Sequence, residues 1–255
     1  DELDAGRPVM VWADIAELPY LRVRLQMSRH DIVVVGYDDD EQIAYVVDND
    51  RDDVQQVPYD ALARARSSRA FPMPTRHATF VVEWPSEPPD LGATAAEAFA
   101  ASALALRTGG PDLVDPTLLP GGSVMGTGLD GVQLFADDVG RWPELWDDTT
   151  LESALRALPV FIEKAGTGGG LFRLLQATAC HDVARRTGSS AVRAAGEAYD
   201  RCSAAWSELG ASAVSPVSLS RRARDAASVA QSLPALERVA ADALQGAADD
   251  RQHQR

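Results

Sequence analysis

Cysteine is scarce: Cys180 and Cys202 are the two in a chain of 255 residues. That is too few for a disulfide framework and fits a reducing compartment. Long apolar runs are missing as well, none approaching the length needed to cross a bilayer, and nothing at the start reads as a secretory signal. The expectation is a cytoplasmic protein with no membrane partner. Positive charge is in deficit, with 24 Lys and Arg against 38 Asp and Glu, for a formal net charge of −14. A phosphate backbone would be repelled over most of such a surface, so no nucleic-acid partner is expected. Two basic clusters, Arg64, Arg66 and Arg69, then Arg221, Arg222 and Arg224, read first as solvated helix faces. His30, His77, His181 and His253 stand far apart, and neither cysteine has a second at ligand spacing, so neither a metal nor a bound cofactor is expected. The remainder, 45% hydrophobic and 24% charged, suits a folded globular chain of one large domain or two smaller ones.

The most informative stretch is Ser28 to Asp50. Two β-branched runs, residues 31–36 and 42–47, flank the acidic turn Asp38-Asp39-Asp40-Glu41, which predicts a hairpin. A loop with an odd number of residues, pairing Tyr37 with Glu41 or Gly36 with Gln42, puts His30 directly opposite Asp48 on one face. An even loop puts Asn49 there instead, and the sequence does not fix the register. A histidine held by a carboxylate is the base-and-orienter half of a nucleophilic site. The competing reading is a strand-edge histidine beside a polar turn. No cysteine or serine placed for activation is evident nearby.

Composition changes near residue 85. Before it, strands are predicted at Pro8 to Asp14, Asp31 to Gly36, Gln42 to Val47 and Thr79 to Trp84, with a short helix at Tyr59 to Arg66. Beyond the proline cluster Pro85 to Pro89 the chain turns alanine- and leucine-rich with helical spacing. The division is therefore 1–86 and 87–255. Helices are predicted at Leu91 to Arg107, Gly131 to Arg141, Ala191 to Leu209, Pro216 to Ser232 and Ala235 to Gln245, with residues 120–131 as loop. Val192, Ala195, Tyr199, Cys202, Trp206 and Leu209 recur at steps of three and four and form one stripe, which makes Cys202 a packed thiol. Cys180 adjoins His181, but neighbouring helical residues point about 100° apart, so they are not a nucleophile and base pair by themselves.

A second motif, Gly166-Thr167-Gly168-Gly169-Gly170-Leu171-Phe172-Arg173, is a glycine-rich turn entering a helix with an apolar stripe at Leu171, Leu174, Leu175 and Thr178. Free amides at Gly168, Gly169 and Gly170, with Arg173 one turn in, can hold a phosphate or carboxylate. No Gly-Lys-Ser/Thr closes it, so it is not a nucleotide P-loop. The alternative is a turn that lets two helices pack closely.

RPVMVWADIAELPY, VVVGYDDD, VVDNDRDD and LARARSSRAFP together resemble the later half of the amino-terminal domain of butirosin biosynthesis protein H. GTGGGLFR and the helices after it resemble the helical domain of unknown function that often follows in such proteins. The resemblance covers roughly residues 5 to 210. It implies an α+β chain: part of a papain-like, bacteriocin-peptidase-like antiparallel sheet followed by an all-helical domain. It also implies a cysteine-dependent acyltransferase that moves an acyl group from an acyl carrier protein thioester, or another thioester donor, to a small-molecule amine. By that likeness His30 is the general base and Asp48 its orienter, and Arg173 or an arginine cluster grips the phosphopantetheine phosphate of the partner carrier. The family's nucleophilic cysteine and its oxyanion-hole donors match nothing here. The chain opens at Asp1 straight into a strand, so a preceding segment or a partner chain is expected to carry them. A papain-like amide hydrolase and a non-catalytic binding or scaffolding subunit are the rival expectations.

Overall fold

The computed structural model describes residues 2–49, 51–110, 115, 117, 126–164 and 169–252. The chain is α+β, with an antiparallel sheet first and helices after it. It divides into two compact units: residues 1–86 with 112–123, and residues 87–111 with 124–255. Asp115 belongs with the first, its amide donating to the Pro72 carbonyl at 2.8 Å.

In the first unit, β1 (Val9–Ala13), β2 (His30–Asp38), β3 (Ile43–Val47), β4 (Gln55–Pro58) and β5 (Thr79–Phe80) form one sheet in the order β4-β3-β2-β1-β5, every pair antiparallel. Alternation decides which face is covered. Val11, Ala13, Ile32, Val34, Ala44, Val46 and Val57 point one way and are buried, with Leu18 and with Ala61 and Ala65 of helix α1 (Tyr59–Ser67), in a single core. On the other face Val35 and Val47 are exposed.

The hairpin register departs from both sequence-based options. Next to the turn the pairs are Asp38 with Ile43 and Tyr37 with Ala44, leaving four residues in the loop; a β-bulge between Val34 and Gly36 then shifts the ladder, so that Val34 meets Val46 and Val33 meets Val47. The extra residue is Val35. Without it Asp48 would fall on the opposite face from His30, because a one-residue slip exchanges faces. With it, Asp48 shares the face of His30, Ile32 and Val34, set two positions from the expected directly opposed place. The acidic turn is closed by Asp38, whose Oδ1 accepts from the amides of Asp40 and Glu41, both at 3.0 Å.

Two further strand boundaries differ from expectation. The strand predicted to run to Trp84 pairs only as Thr79 and Phe80 with Val11 and Met10. Continuing it would lead past Val9 to Pro8, which has no N–H to donate. β4 was not anticipated; its QQVP sequence carries one buried apolar residue, Val57, and ends in proline, as suits an edge strand.

The second unit consists of α2 (Leu91–Thr108), α3 (Gly128–Leu145), α4 (Asp148–Glu163), α5 (Gly169–Thr187), α6 (Ser190–Ala213), α7 (Leu219–Ala230) and α8 (Leu233–Gln252). Side-chain oxygens cap three of them: Asp90 accepts from the Ala93 amide at 2.7 Å, Asp147 from Thr150 at 2.8 Å and Ser189 from Val192 at 3.2 Å. α6 is the organising helix. All six residues of its expected stripe are buried, the upper ones against α2, α5 and α8, and Trp206 and Leu209 in a second cluster with α3, α4, α7 and the start of α8. The stripe expected on α5 is corrected. Leu174 and Leu175 are exposed, and the helix instead buries Ala177, Cys180, Val183 and Ala184. Small residues permit the close α5–α6 approach there, with Gly196 of α6 lying under the His181 ring. α4 arises where no helix was predicted; Pro159 lies within it, yet Leu151, Leu155, Leu158 and Ile162 supply its buried face.

Candidate functional site

The end of β1, the start of β2 and the residues just after β3 converge on one His–Asp pair. Ala13 is the register partner of His30, and Asp14 follows it. Asp14 is wholly buried: its Oδ1 accepts from the amides of Ala16 at 3.0 Å and Met27 at 3.1 Å, and its Oδ2 from the Ser68 hydroxyl at 2.6 Å. One carboxylate thus ties β1, the segment entering β2 and the end of α1 together. Ser28, also buried, fastens that entering segment to residues 70–73: its amide donates to the Phe71 carbonyl and its hydroxyl to the carbonyl of Ala70, at 2.9 Å each. Between Ser28 and His30 the backbone passes through the left-handed region at Arg29, φ +61°, a costly conformation for a side-chain-bearing residue. The Arg29 guanidinium lies over the Trp12 ring, 4.3 Å from its centroid.

His30 is therefore presented from a pinned backbone. Its Nε2 is 2.8 Å from Asp48 Oδ2 and 3.0 Å from Oδ1. The Asp48 side chain has no solvent exposure, and that of His30 retains 24%. Tyr20 donates its hydroxyl to Asp48 Oδ2 at 2.6 Å. A carboxylate only accepts, so facing it Nε2 carries the proton and Nδ1 holds the lone pair. Among the described residues Nδ1 meets no hydrogen-bond partner. A group so arranged can take a proton at Nδ1 while Asp48 stabilises the resulting imidazolium.

Tyr20 was missed from the sequence, where it stood only as the end of ADIAELPY. Its contact with Asp48 bridges 28 residues, and no local spacing announces it.

The other candidates lie in the helical unit. Gly168 falls outside the described residues. Gly169 and Gly170 are buried in the first turn of α5; a Cβ on Gly169 would come 2.6 Å from Trp206 Cε3, and one on Gly170 2.7 Å from Glu163 Oε1. Their bareness lets α5 begin against those side chains. Arg173 Nε donates to Glu237 Oε1 at 2.7 Å, so its charge is met inside the protein. Of the two arginine clusters, Arg64 pairs with Glu17 and Asp60, Arg221 with Asp225 and Arg222 with Glu152.

Both cysteine thiols are buried and free. Burial raises the Cys180 pKa and pushes that of Cys202 up to about 12. His181 turns to Asp200 of α6, Nε2 to Oδ2 at 2.8 Å, rather than to the adjacent Cys180. The neutral thiol is a poor nucleophile. In the folded chain at pH 8 both cysteines are therefore expected to resist a thiol reagent such as Ellman's, and to titrate as two thiols once denatured. A rapidly reacting thiol in the native protein would contradict the assignment.

Among the described residues no group of three or more His, Cys, Asp and Glu is placed to hold a metal ion. None of the described helices is long and apolar enough to cross a membrane.

Residues 60–244 match the model of a domain of unknown function, DUF4872, which spans more than half of the chain. The chain belongs to the DUF4872 family. In this DUF4872 protein residues 1–49 match the N-terminal model of butirosin biosynthesis protein H. The resemblance read from the sequence is thus borne out, with one adjustment. LARARSSRAFP at residues 62–72 falls within the DUF4872 match and not in the N-terminal one. The His30–Asp48 pair lies wholly within the N-terminal match. No curated protein matches the chain.

Proposed function

We propose that this DUF4872 protein supplies the base and its orienter to a cysteine-dependent acyltransferase that moves an acyl group from a carrier-protein thioester to an amine in specialised-metabolite biosynthesis. The observation that carries the reading is the orientation of His30: Nε2 is held by a fully buried carboxylate, leaving Nδ1 as the proton acceptor. The match of residues 1–49 to butirosin biosynthesis protein H supports a place in specialised-metabolite biosynthesis. With Cys180 and Cys202 buried, the reacting thiol comes from residues outside this sequence or from a partner chain.

In the cycle Nδ1 takes the thiol proton as the thiolate attacks the thioester carbonyl. Collapse of the tetrahedral adduct breaks the bond to the carrier's sulfur, and the imidazolium returns the proton to that leaving thiolate. The amine then attacks the acyl-cysteine, gives its proton to His30, and the cysteine leaves and is reprotonated. Asp48 holds the ring through each exchange.

The test is to combine the protein and its thiol-bearing polypeptide with an acylated carrier protein and an amine, and to follow carrier thiol and acyl product by mass spectrometry. Amide formed in step with free carrier is expected. Free acid in place of amide would make the protein a hydrolase, and an intact thioester would leave only the binding or scaffolding reading.

A further inference from the structure

We propose that Tyr20 is a positioning residue for His30, acting through Asp48 to hold the imidazole in the tautomer with Nε2 protonated and Nδ1 open; this rests on the reading of His30 as a base. Tyr20 follows a short 3-10 turn, Ile15–Glu17, whose successor Leu18 is anchored in the core of the first unit. Its hydroxyl reaches Asp48 Oδ2, and its own carbonyl accepts from Arg51 Nη2 at 3.0 Å. The Arg51 amide in turn donates to the Asp48 carbonyl at 3.2 Å. Tyr20, Asp48 and Arg51 therefore close a ring of three hydrogen bonds, two to backbone and one to the carboxylate that holds the imidazole.

The ring has a chemical consequence. Asp48 is inside the protein, so its charged form depends on the donors it meets there. A neutral hydroxyl on Oδ2 supports the anion without giving it a full proton, and an anionic Asp48 admits only a protonated Nε2. Were Asp48 protonated or turned away, Nε2 could accept and the proton would move to Nδ1, where it blocks base catalysis. Tyr20 thus sets the tautomer without touching a reacting atom. Arg51 keeps the tyrosine and the aspartate in step by holding the backbone of both segments.

The experiment is a long-range 1H–15N correlation spectrum of the His30 ring in the 15N-labelled chain, recorded with the imidazole neutral. Wild type is expected to show one tautomer, with the pyrrole-type shift on Nε2. Tyr20→Phe is expected to lower the ratio of that tautomer to the other by about tenfold, the effect of one hydrogen bond to a charged group. Arg51→Gln is expected to move the ratio the same way but less, and Arg51→Lys less still. If Tyr20→Phe fails to fold, as its backbone amide spectrum would reveal, Arg51→Gln carries the test. A folded Tyr20→Phe, or failing that a folded Arg51→Gln, with the wild-type tautomer ratio overturns the proposal. The readout needs no turnover: a shifted tautomer without thioester consumption would keep the role of Tyr20 and remove acyl transfer, whereas turnover with an unmoved tautomer would do the reverse.

Discussion

His30→Ala is expected to slow thioester consumption by about 10²–10⁴-fold, the usual contribution of a positioned general base. The loss belongs to proton transfer, so kcat should fall much more than KM rises. Asp48→Asn is expected to be nearly as damaging for a different reason. Its amide is almost isosteric with the carboxylate and can still accept the Tyr20 hydroxyl, but it no longer stabilises an imidazolium and it offers an N–H that suits the wrong tautomer of His30. Both variants should be assayed with the thiol-bearing polypeptide present, their folding checked by circular dichroism. Turnover by folded His30→Ala at the wild-type rate would remove the base from the site and with it the proposed mechanism.

Glu237→Ala is the substitution expected to cost the helical unit most. Glu237 is fully buried, and its Oε1 accepts from Arg173 Nε and from Trp206 Nε1, both at 2.7 Å. The Arg173 guanidinium sits 5.3 Å from the Trp206 ring centroid, and its side chain is only 18% exposed. Truncation leaves that largely buried cation and the indole N–H without their shared acceptor, a loss of about 3–5 kcal/mol by the behaviour of broken buried pairs. Replacing both charges, as in Glu237→Leu with Arg173→Met, is expected to recover most of the loss, because the cost lies in the unpaired charge. Urea unfolding followed by far-ultraviolet circular dichroism measures both. A single variant within about 1 kcal/mol of wild type would mean that Arg173 finds solvent or another partner.

Much of the site's neighbourhood was legible because it is local. The β-branched runs around the acidic turn announce a hairpin, and period-two alternation assigns its faces. That His30 and Asp48 meet was also accessible, though by a different route. The simple odd-loop count gave the right face, while the actual register combines an even loop with a bulge, and nothing in VVVG says which valine is extra. What the sequence hid is held together across long separations. Tyr20 to Asp48, Ser28 to Met73 and Asp14 to Ser68 join segments that only the folded sheet brings together. In the helical unit the α6 stripe was readable because its large residues repeat at helical spacing. On α5 the rule misled: Leu174 and Leu175 lie exposed, while Ala177, Cys180, Val183 and Ala184 form the buried face that packs with α6.

The bulge at Val35 gives the hairpin one residue of slack. The turn end counts from the acidic loop and the site end from the buried face, and the two tallies are reconciled between Val34 and Gly36. Shortening the turn by one residue would let the ladder run unbroken with Val34 still against Val46, and His30 would still share its face with Asp48. The loop can therefore lose a residue without His30 and Asp48 changing faces.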